Sequence, residues 1–176
     1  MATFGKALGN GYAINAIIGS DSVMNYAKST FISSTFWTER IGSAAAIKTL
    51  EIMEKTKSWN VVKNIGKGIK EEWLKFSKNY NIKLKITGLD SLPRFDFLYD
   101  NNLYYKTFIS QEFLKKGFLA SNSIYLSISH NDKIIESYLD ILESIFRKIK
   151  ISLDKKIDPK NLLNGPVCIN GIRSKL

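Results

Sequence analysis

The spacing of apolar residues changes near residue 82, and this change constrains the fold more than any other feature of the sequence. In residues 58–80 apolar side chains recur at three- and four-residue intervals, the pattern of an amphipathic helix, with the stripe Val62, Ile65, Ile69, Trp73 and Phe76. From Ile82 onward the interval becomes two, which predicts strands that bury one face. The sequence therefore predicts an α/β fold.

Three stretches of the chain show the two-residue interval, namely residues 82–86, 95–99 and 124–128. We predict that each is a strand with one buried face. Between the second and the third, the sequence predicts a helix over Tyr104–Lys116 that ends at Gly117. A glycine in this position is typical of a helix C-terminus, because it adopts left-handed backbone angles without steric strain.

The last long helix is predicted from a capping pattern followed by a helical stripe. Ser129 and Asp132 have the spacing of a capping box. The apolar side of the helix that they open consists of Ile134, Ile135, Tyr138, Leu142, Ile145 and Ile149. Residues 58–150 are therefore predicted to fold as helix, strand, strand, helix, strand, helix, which is a compact α/β unit with a small, mainly antiparallel sheet.

The sequence of residues 1–57 does not predict a domain that folds on its own. They are rich in Gly, Ser, Thr and small apolar residues, with a buried strand expected over Ala13–Gly19 and a short helix capped by Asp21. A helix is expected over residues 39–57, where three consecutive alanines would let another backbone approach closely. These elements need a partner surface. The predicted organisation is thus 1–57, 58–150 and a polar tail, 151–176.

Composition excludes several classes of protein. One cysteine, Cys168, and one histidine, His130, exclude a disulfide framework and a Cys- or His-rich metal site. Neither a long apolar run nor a secretory signal is present, so we expect a cytoplasmic protein without a membrane partner. The net charge of +10 leaves open a non-catalytic, basic interaction domain, but the lysines alternate with acidic residues and nucleic-acid binding is not expected.

The segment Thr3–Gly11, with the sequence TFGKALGNG, carries the strongest chemical signal. A phosphate-binding P-loop requires Ser or Thr after the lysine, where this chain has Ala7, and the dinucleotide pattern requires glycine where it has Ile14. What remains is Lys6 among apolar neighbours. Such an amine tends to lose its proton and can then form a Schiff base with a carbonyl, while Gly5 and Gly9 would let a flat ring approach the backbone. A solvated loop lysine is the alternative interpretation.

The segment TFGKALGNGYAINAIIG resembles the lysine segment of the class III (fold-type I) pyridoxal-phosphate aminotransferases. The similarity continues through SSTFWTERIGSAAAIKTLEIMEK, ITGLDSLPRFDF, FLASNSIYLSISHND and NGPVCINGIRSKL, and so covers nearly the whole chain. The later segments are similar to the glutamate-1-semialdehyde 2,1-aminomutase-like branch. The resemblance implies that residues 1–57 end the large cofactor-binding domain and that residues 58–150 form the small α/β C-terminal domain.

Carried over by position, the resemblance makes Lys6 the catalytic lysine that holds pyridoxal 5'-phosphate as a Schiff base and moves a proton. Thr35, or less favourably Thr38, matches the threonine that binds the cofactor phosphate, usually across the interface of a homodimer. No metal is implied. The implied substrate is a small amino acid or amino aldehyde, and in the aminomutase version glutamate-1-semialdehyde becomes 5-aminolevulinate for tetrapyrrole synthesis.

Two departures from the family pattern qualify this assignment. Most of the family's large domain precedes the lysine, whereas this chain begins five residues before Lys6. We therefore expect the chain alone to bind the cofactor poorly and to have little activity. In addition, residues 39–42 have the sequence ERIG, where the aminomutase usually has a Gly-Asn-Pro run. A transaminase acting on another amino acid or an amino sugar is therefore an open alternative.

Two further polar residues have weaker functional interpretations. Arg94 alternates with buried aromatic positions and is expected to face outward, where it would be able to bind a substrate carboxylate. His130 precedes the last long helix, and a capping or packing role is favoured over catalysis.

Overall fold

The computed structural model describes residues 1–169, which form two compact units, Met1–Ser58 and a second that begins at Trp59. In the first unit, strands β1 (Ala2–Phe4) and β2 (Ala16–Ile18) pair antiparallel, with Ala2 opposite Ile18. Helices α1 (Asp21–Met24) and α2 (Ile41–Thr56) follow, and short 3-10 turns form at Lys6–Leu8 and Asn25–Ser29.

The predicted buried strand over Ala13–Gly19 is wrong in both length and burial. β2 has three residues, and Ile17 and Ile18 are 53% and 57% exposed. β1 is its only strand partner among the described residues, and the first unit places no layer over these side chains. The predicted cap of α1 is also wrong, because Asp21 is the first helical residue and Ser20 precedes it without a side-chain hydrogen bond.

The predicted helix over residues 39–57 is confirmed as α2, which ends at Lys57 in a left-handed conformation with φ of 49°. Close backbone packing occurs at Gly42, next to the alanine run. A Cβ atom on Gly42 would lie 2.5 Å from the carbonyl oxygen of Ala13. Only Gly42 and Ala46 of this helix are buried, which leaves its larger apolar side chains exposed in the first unit.

The second unit contains α3 from Trp59 onward (Ser58–Asn79 in full), α4 (Asn102–Leu114) and α5 (Asp132–Asp154). Strands β3 (Leu84–Thr87) and β4 (Arg94–Phe97) pair antiparallel between α3 and α4. The predicted α/β character is confirmed. α5 extends four residues into the stretch predicted as a polar tail, which also contains a 3-10 turn at residues 159–162, and residues 170–176 lie outside the described part.

The core of the second unit is the apolar stripe of α3 packed against the sheet, α4 and α5. The predicted positions Ile69, Trp73 and Phe76 are buried, as are four of the six predicted on α5, namely Tyr138, Leu142, Ile145 and Ile149. Trp73 meets Phe95 edge to face with ring centroids 4.7 Å apart. Aromatic pairs in this geometry contribute about 1 kcal/mol beyond the burial of their area.

The third predicted strand, residues 124–128, is wrong, because the structure forms only one isolated bridge, between Arg94 and Ser123. The Phe95 N–H donates to the Asn122 carbonyl at 3.0 Å, and the Ile124 N–H donates to Pro93 at 3.1 Å. Extending this ladder requires a donor at position 93, and proline has no N–H. The chain therefore runs beside β4 without becoming a strand.

The predicted capping box before α5 is also wrong. The N-cap is Asn131, whose side-chain oxygen accepts from the Ile134 N–H at 3.0 Å, so Ser129 lies outside the helix. Among residues 1–169, no helix combines the length and the apolar character needed to span a bilayer. The same residues contain no group of three or more His, Cys, Asp or Glu side chains arranged to hold a metal ion.

Candidate active site

Lys6 opens a tightly closed loop in the first unit. The Asn10 N–H donates to the Lys6 carbonyl at 3.1 Å, and the Leu8 N–H donates to Gly5 at 3.1 Å. Lys6 has φ of 47°, a left-handed conformation that is rare for a residue with a side chain. Such strain costs on the order of 1 kcal/mol and is concentrated at functional sites in proteins.

The glycines beside Lys6 are required by the loop itself. A Cβ atom on Gly9 would overlap the carbonyl oxygen of Tyr12 and lie 2.8 Å from Cγ2 of Ile14. A Cβ atom on Gly5 would overlap Oδ1 of Asn15. Protein atoms therefore occupy the Cβ side of both glycines, so the absence of a side chain at these positions allows close packing within the first unit.

The Lys6 side chain is exposed and borders a shallow depression. The other residues around it are Ala7, Asn10, Gly11, Tyr12 and Ala13. The apolar neighbours of Lys6 in sequence predict a desolvated amine. The first unit does not bury the side chain, so the amine is accessible to a ligand.

Thr35 lies in an exposed turn and does not border the Lys6 depression. Within that turn the Phe36 N–H donates to Oγ of Ser34 at 3.2 Å, and the Glu39 N–H donates to the Phe36 carbonyl at 3.1 Å. Thr38 is exposed in the same turn. The structure thus leaves both threonine hydroxyls accessible, but it does not bring Thr35 to Lys6 within one chain.

Glu39 has a structural role that the sequence patterns do not predict. Its carboxylate accepts from the backbone N–H of Ile41 at 2.7 Å and from that of Gly42 at 3.3 Å, and so it caps the start of α2. Negative charge is favoured here because the unpaired N–H groups give a helix N-terminus positive character. One sequence signal points to this capping role: Glu39 lies two positions before the first residue of a helix whose N-cap position lacks the usual capping residues Ser, Thr, Asp and Asn.

Arg94 faces outward as predicted, and Asp96 engages its guanidinium. Nε of Arg94 lies 2.9 Å from Oδ2 of Asp96, and Nη2 lies 2.7 Å from Oδ1. The buried Asn122 amide donates to the same carboxylate at 3.1 Å. Because two donors of Arg94 and the carboxylate are already paired, the arrangement is a poor receptor for a substrate carboxylate.

His130 has a structural role in a turn. Its Nδ1 accepts from the Ser127 N–H at 3.0 Å, and the ring is partly buried ahead of α5. Cys168 is partly buried as well, and its N–H donates to Oγ1 of Thr107 at 3.0 Å. Neither residue lies in the first unit with Lys6.

Comparison with known proteins decides the family. The profile of the class III aminotransferases matches residues 1–145. The chain belongs to the class III aminotransferase family. A 3-aminobutyryl-CoA aminotransferase of Cloacimonas acidaminovorans is 31% identical over 141 residues, which cover 80% of this chain and 33% of that protein. A glutamate-1-semialdehyde 2,1-aminomutase of Sulfurisphaera tokodaii is 26% identical over 168 aligned positions, which cover 85% of this chain and 40% of that protein.

A solved structure supports the fold of this class III chain. The pyridoxal-phosphate internal aldimine form of the FumI protein of Sphingopyxis sp. MTA144 superposes with a TM-score of 0.78 at 24% identity, covering 92% of this chain and 39% of that one. The chain therefore spans between a third and two fifths of the length of these relatives. The enzymes of this family depend on pyridoxal phosphate. Pyridoxal phosphate is therefore the cofactor of the family to which this chain belongs.

The residues described above fit part of a site for this cofactor. An exposed primary amine on a strained, tightly closed loop is suited to covalent capture of an aldehyde. An exposed threonine hydroxyl is suited to donating a hydrogen bond to a phosphate oxygen. The observed exposure of Lys6 and Thr35 is therefore compatible with the two roles that the resemblance implies.

Proposed function

We propose that this protein transfers amino groups, with Lys6 as the catalytic lysine. The observation that carries the proposal is the exposed Lys6 amine, held in a left-handed loop inside the segment that matches the family profile. No other lysine of the first unit combines these features, since Lys57, which also has positive φ, ends a helix outside any such loop.

Each proposed residue has a defined task. Pyridoxal phosphate, when bound, supplies an electrophilic carbonyl carbon and a conjugated ring that accepts electrons from the substrate carbon. Lys6 Nζ would hold the cofactor and, once displaced by substrate, would carry a proton to or from that carbon. The Thr35 hydroxyl would donate to the phosphate. Because Thr35 does not border the Lys6 depression, we propose that it serves the Lys6 of a second copy in a homodimer.

Two substrate classes follow from the relatives. The aminomutase version would convert glutamate-1-semialdehyde into 5-aminolevulinate, and the similarity to the aminomutase of Sulfurisphaera tokodaii supports it. A transaminase acting on another amino compound is supported by the higher identity to the 3-aminobutyryl-CoA aminotransferase. It is also supported by Glu39, which caps α2 where the aminomutase branch usually has a Gly-Asn-Pro run.

The two versions differ in a way that is simple to measure. An aminomutase converts glutamate-1-semialdehyde with no second substrate, whereas a transaminase requires both an amino donor and a keto or aldehyde acceptor. Turnover of the semialdehyde alone would support the aminomutase version. A strict requirement for a donor and an acceptor would support the transaminase version.

The proposal for Lys6 is tested by the visible absorbance of the lysine-bound cofactor. This chain, joined to the part of a class III large domain that precedes the lysine segment, is mixed with pyridoxal phosphate, and Lys6→Ala is compared with Lys28→Ala, a change to another exposed lysine of the first unit. We expect the band in the wild type and in Lys28→Ala, and its loss in Lys6→Ala. A band of unchanged intensity in Lys6→Ala would contradict the assignment.

A further inference from the structure

Ile14 lies between the Lys6 loop (residues 5–10) and the start of α2, and it contacts both within the first unit. On the side of the loop, a Cβ atom on Gly9 would lie 2.8 Å from Cγ2 of Ile14. On the side of the helix, a Cβ atom on Gly42 would lie 3.2 Å from Cβ of Ile14. Both distances are shorter than ordinary van der Waals contact, so the half-buried Ile14 side chain fills the space between the loop and the helix.

The helix side of this contact is held in place by Glu39. Its carboxylate accepts from the Ile41 N–H at 2.7 Å and from the Gly42 N–H at 3.3 Å, and these bonds fix the start of α2. A Cβ atom on Gly42 would also lie 2.5 Å from the carbonyl oxygen of Ala13, so the helix start packs closely against the backbone that precedes Ile14. The start of α2 therefore supports Ile14 from behind.

The loop side of the contact is strained backbone that needs such support. Lys6 has φ of 47° and Asn10 has φ of 46°, and the Asn10 N–H donates to the Lys6 carbonyl at 3.1 Å. Left-handed backbone is uncommon for residues with side chains, and strain of this kind persists only where the surrounding structure holds it. Gly9, the residue that Ile14 contacts, lies between these two left-handed residues in sequence. The Cγ2 methyl of Ile14 is therefore placed to hold the loop in its strained form.

We propose that Ile14 is a positioning residue for Lys6: its Cγ2 methyl keeps the Lys6 loop left-handed and so fixes the place from which the Lys6 amine meets the cofactor. This inference rests on the proposed function for the chemistry at Lys6, whereas the support of the loop is measurable by itself. Residue 14 must then be branched at Cβ. Valine and threonine keep a Cγ2 methyl, whereas leucine has the size of isoleucine and lacks this methyl.

The first readout is the stability of the loop without cofactor. Ile14→Val and Ile14→Leu are made in this chain joined to the part of a class III large domain that precedes the lysine segment. Hydrogen exchange of the peptide spanning Thr3–Gly11 is then measured by mass spectrometry. We expect exchange in Ile14→Leu to be about fourfold faster than in the wild type, the ratio that corresponds to the burial of one methyl group. Ile14→Val should match the wild type.

The second readout is the rate at which the joined protein captures pyridoxal phosphate, measured as growth of the visible absorbance of the lysine-bound cofactor. We expect capture by Ile14→Leu to be about tenfold slower than by the wild type, because a displaced amine reacts less readily, and capture by Ile14→Val to stay within about twofold. A role in burial alone predicts the opposite order, because leucine buries more apolar surface than valine. Thermal unfolding of both variants shows any general loss of stability.

A second matched pair, Ile14→Thr and Ile14→Ser, replaces the first if Ile14→Leu does not fold. Threonine and serine differ only by the Cγ2 methyl. We expect the serine variant to show faster exchange of the Thr3–Gly11 peptide and slower capture of pyridoxal phosphate than the threonine variant.

The inference requires both differences, so equal exchange or equal capture in the two members of a pair would overturn it. Either result, together with absorbance that depends on Lys6, would leave the proposed function intact. Faster exchange in Ile14→Leu, in a protein whose absorbance survives Lys6→Ala, would instead overturn the proposed function and leave Ile14 as a support of the loop.

Discussion

Gly66 and Gly68 lie two residues apart on α3, and substituting each with alanine should change stability in opposite directions. A Cβ atom on Gly66 would overlap the carbonyl oxygen of Asp90 and lie 2.6 Å from its carbonyl carbon and 2.9 Å from Cδ1 of Leu126. A Cβ atom on Gly68 would meet no heavy atom within 4 Å. The sequence alone assigns both glycines the same penalty of about 1 kcal/mol relative to alanine in a helix.

The magnitude follows from these contacts. Ordinary van der Waals contact begins near 3.4 Å, so Gly66→Ala must move the carbonyl oxygen of Asp90 away from α3 by well over an ångström and its carbonyl carbon by nearly one. That backbone segment is tied to the helix by Lys70, whose Nζ donates to the Gly88 carbonyl at 2.7 Å and to Oδ1 of Asp90 at 2.9 Å. Overpacking of this kind typically costs about 1–3 kcal/mol, and the strained Lys70 contacts place this case at the upper end.

The assay is chemical denaturation of each variant, followed by the fluorescence of the buried Trp73 and by far-ultraviolet circular dichroism. We expect Gly66→Ala to lower the free energy of unfolding by about 2–3 kcal/mol, after allowing for its gain in helix propensity. Gly68→Ala should raise it by about 0.5–1 kcal/mol. Equal changes in the two variants would refute the reasoning, because helix propensity alone would then account for both.

Two further predictions concern polar groups of the second unit. Burial opposes ionisation of Glu112, but hydrogen bonds from Lys115, Lys148 and Gln111 outweigh it and lower the pKa of the Glu112 carboxyl from 4.5 to about 2. This pair of lysines therefore contributes stability that is present above pH 4.5 and is lost as the pH falls toward 2. Denaturation at neutral pH should show that Glu112→Gln costs about 2 kcal/mol, with the difference from wild type shrinking in acid, and a pH-independent difference would contradict this origin. Asn131→Ala should cost about 1 kcal/mol through loss of the α5 cap, whereas Ser129→Ala should change thermal stability little, and the reverse order would favour the capping box.

The elements predicted correctly are those whose signal is local. The stripe of α3 and the left-handed Gly117 that follows the end of α4 depend on residues within a few positions of one another, and both agree with the structure. The third strand failed because its pairing depends on a donor that Pro93 lacks, about thirty residues away along the chain. The spacing of residues within one segment does not show which distant residue will pair with it.

The candidate site likewise contains features that local sequence predicts and features that it does not. The loop around Lys6 was recognisable because its glycines and lysine are adjacent in sequence, although the purpose of those glycines became clear only from the contacts of Gly9 with Tyr12. The role of Glu39 depends on where α2 begins, which residue patterns locate only to within a few positions. The apolar neighbours of Lys6 in sequence do not cover its side chain in the first unit, which agrees with the alternative of a solvated loop lysine.

The most direct test of the role of Lys6 is reduction with borohydride in the presence of pyridoxal phosphate, applied to this chain joined to the part of a class III large domain that precedes the lysine segment and followed by peptide mass mapping. Reduction makes the bond between the cofactor and its lysine permanent, so the modified position can be read from the peptides. We expect one modified site, Lys6, in the peptide that contains the Thr3–Gly11 segment. An unmodified Thr3–Gly11 segment, or modification spread over many lysines without preference for Lys6, would contradict this role.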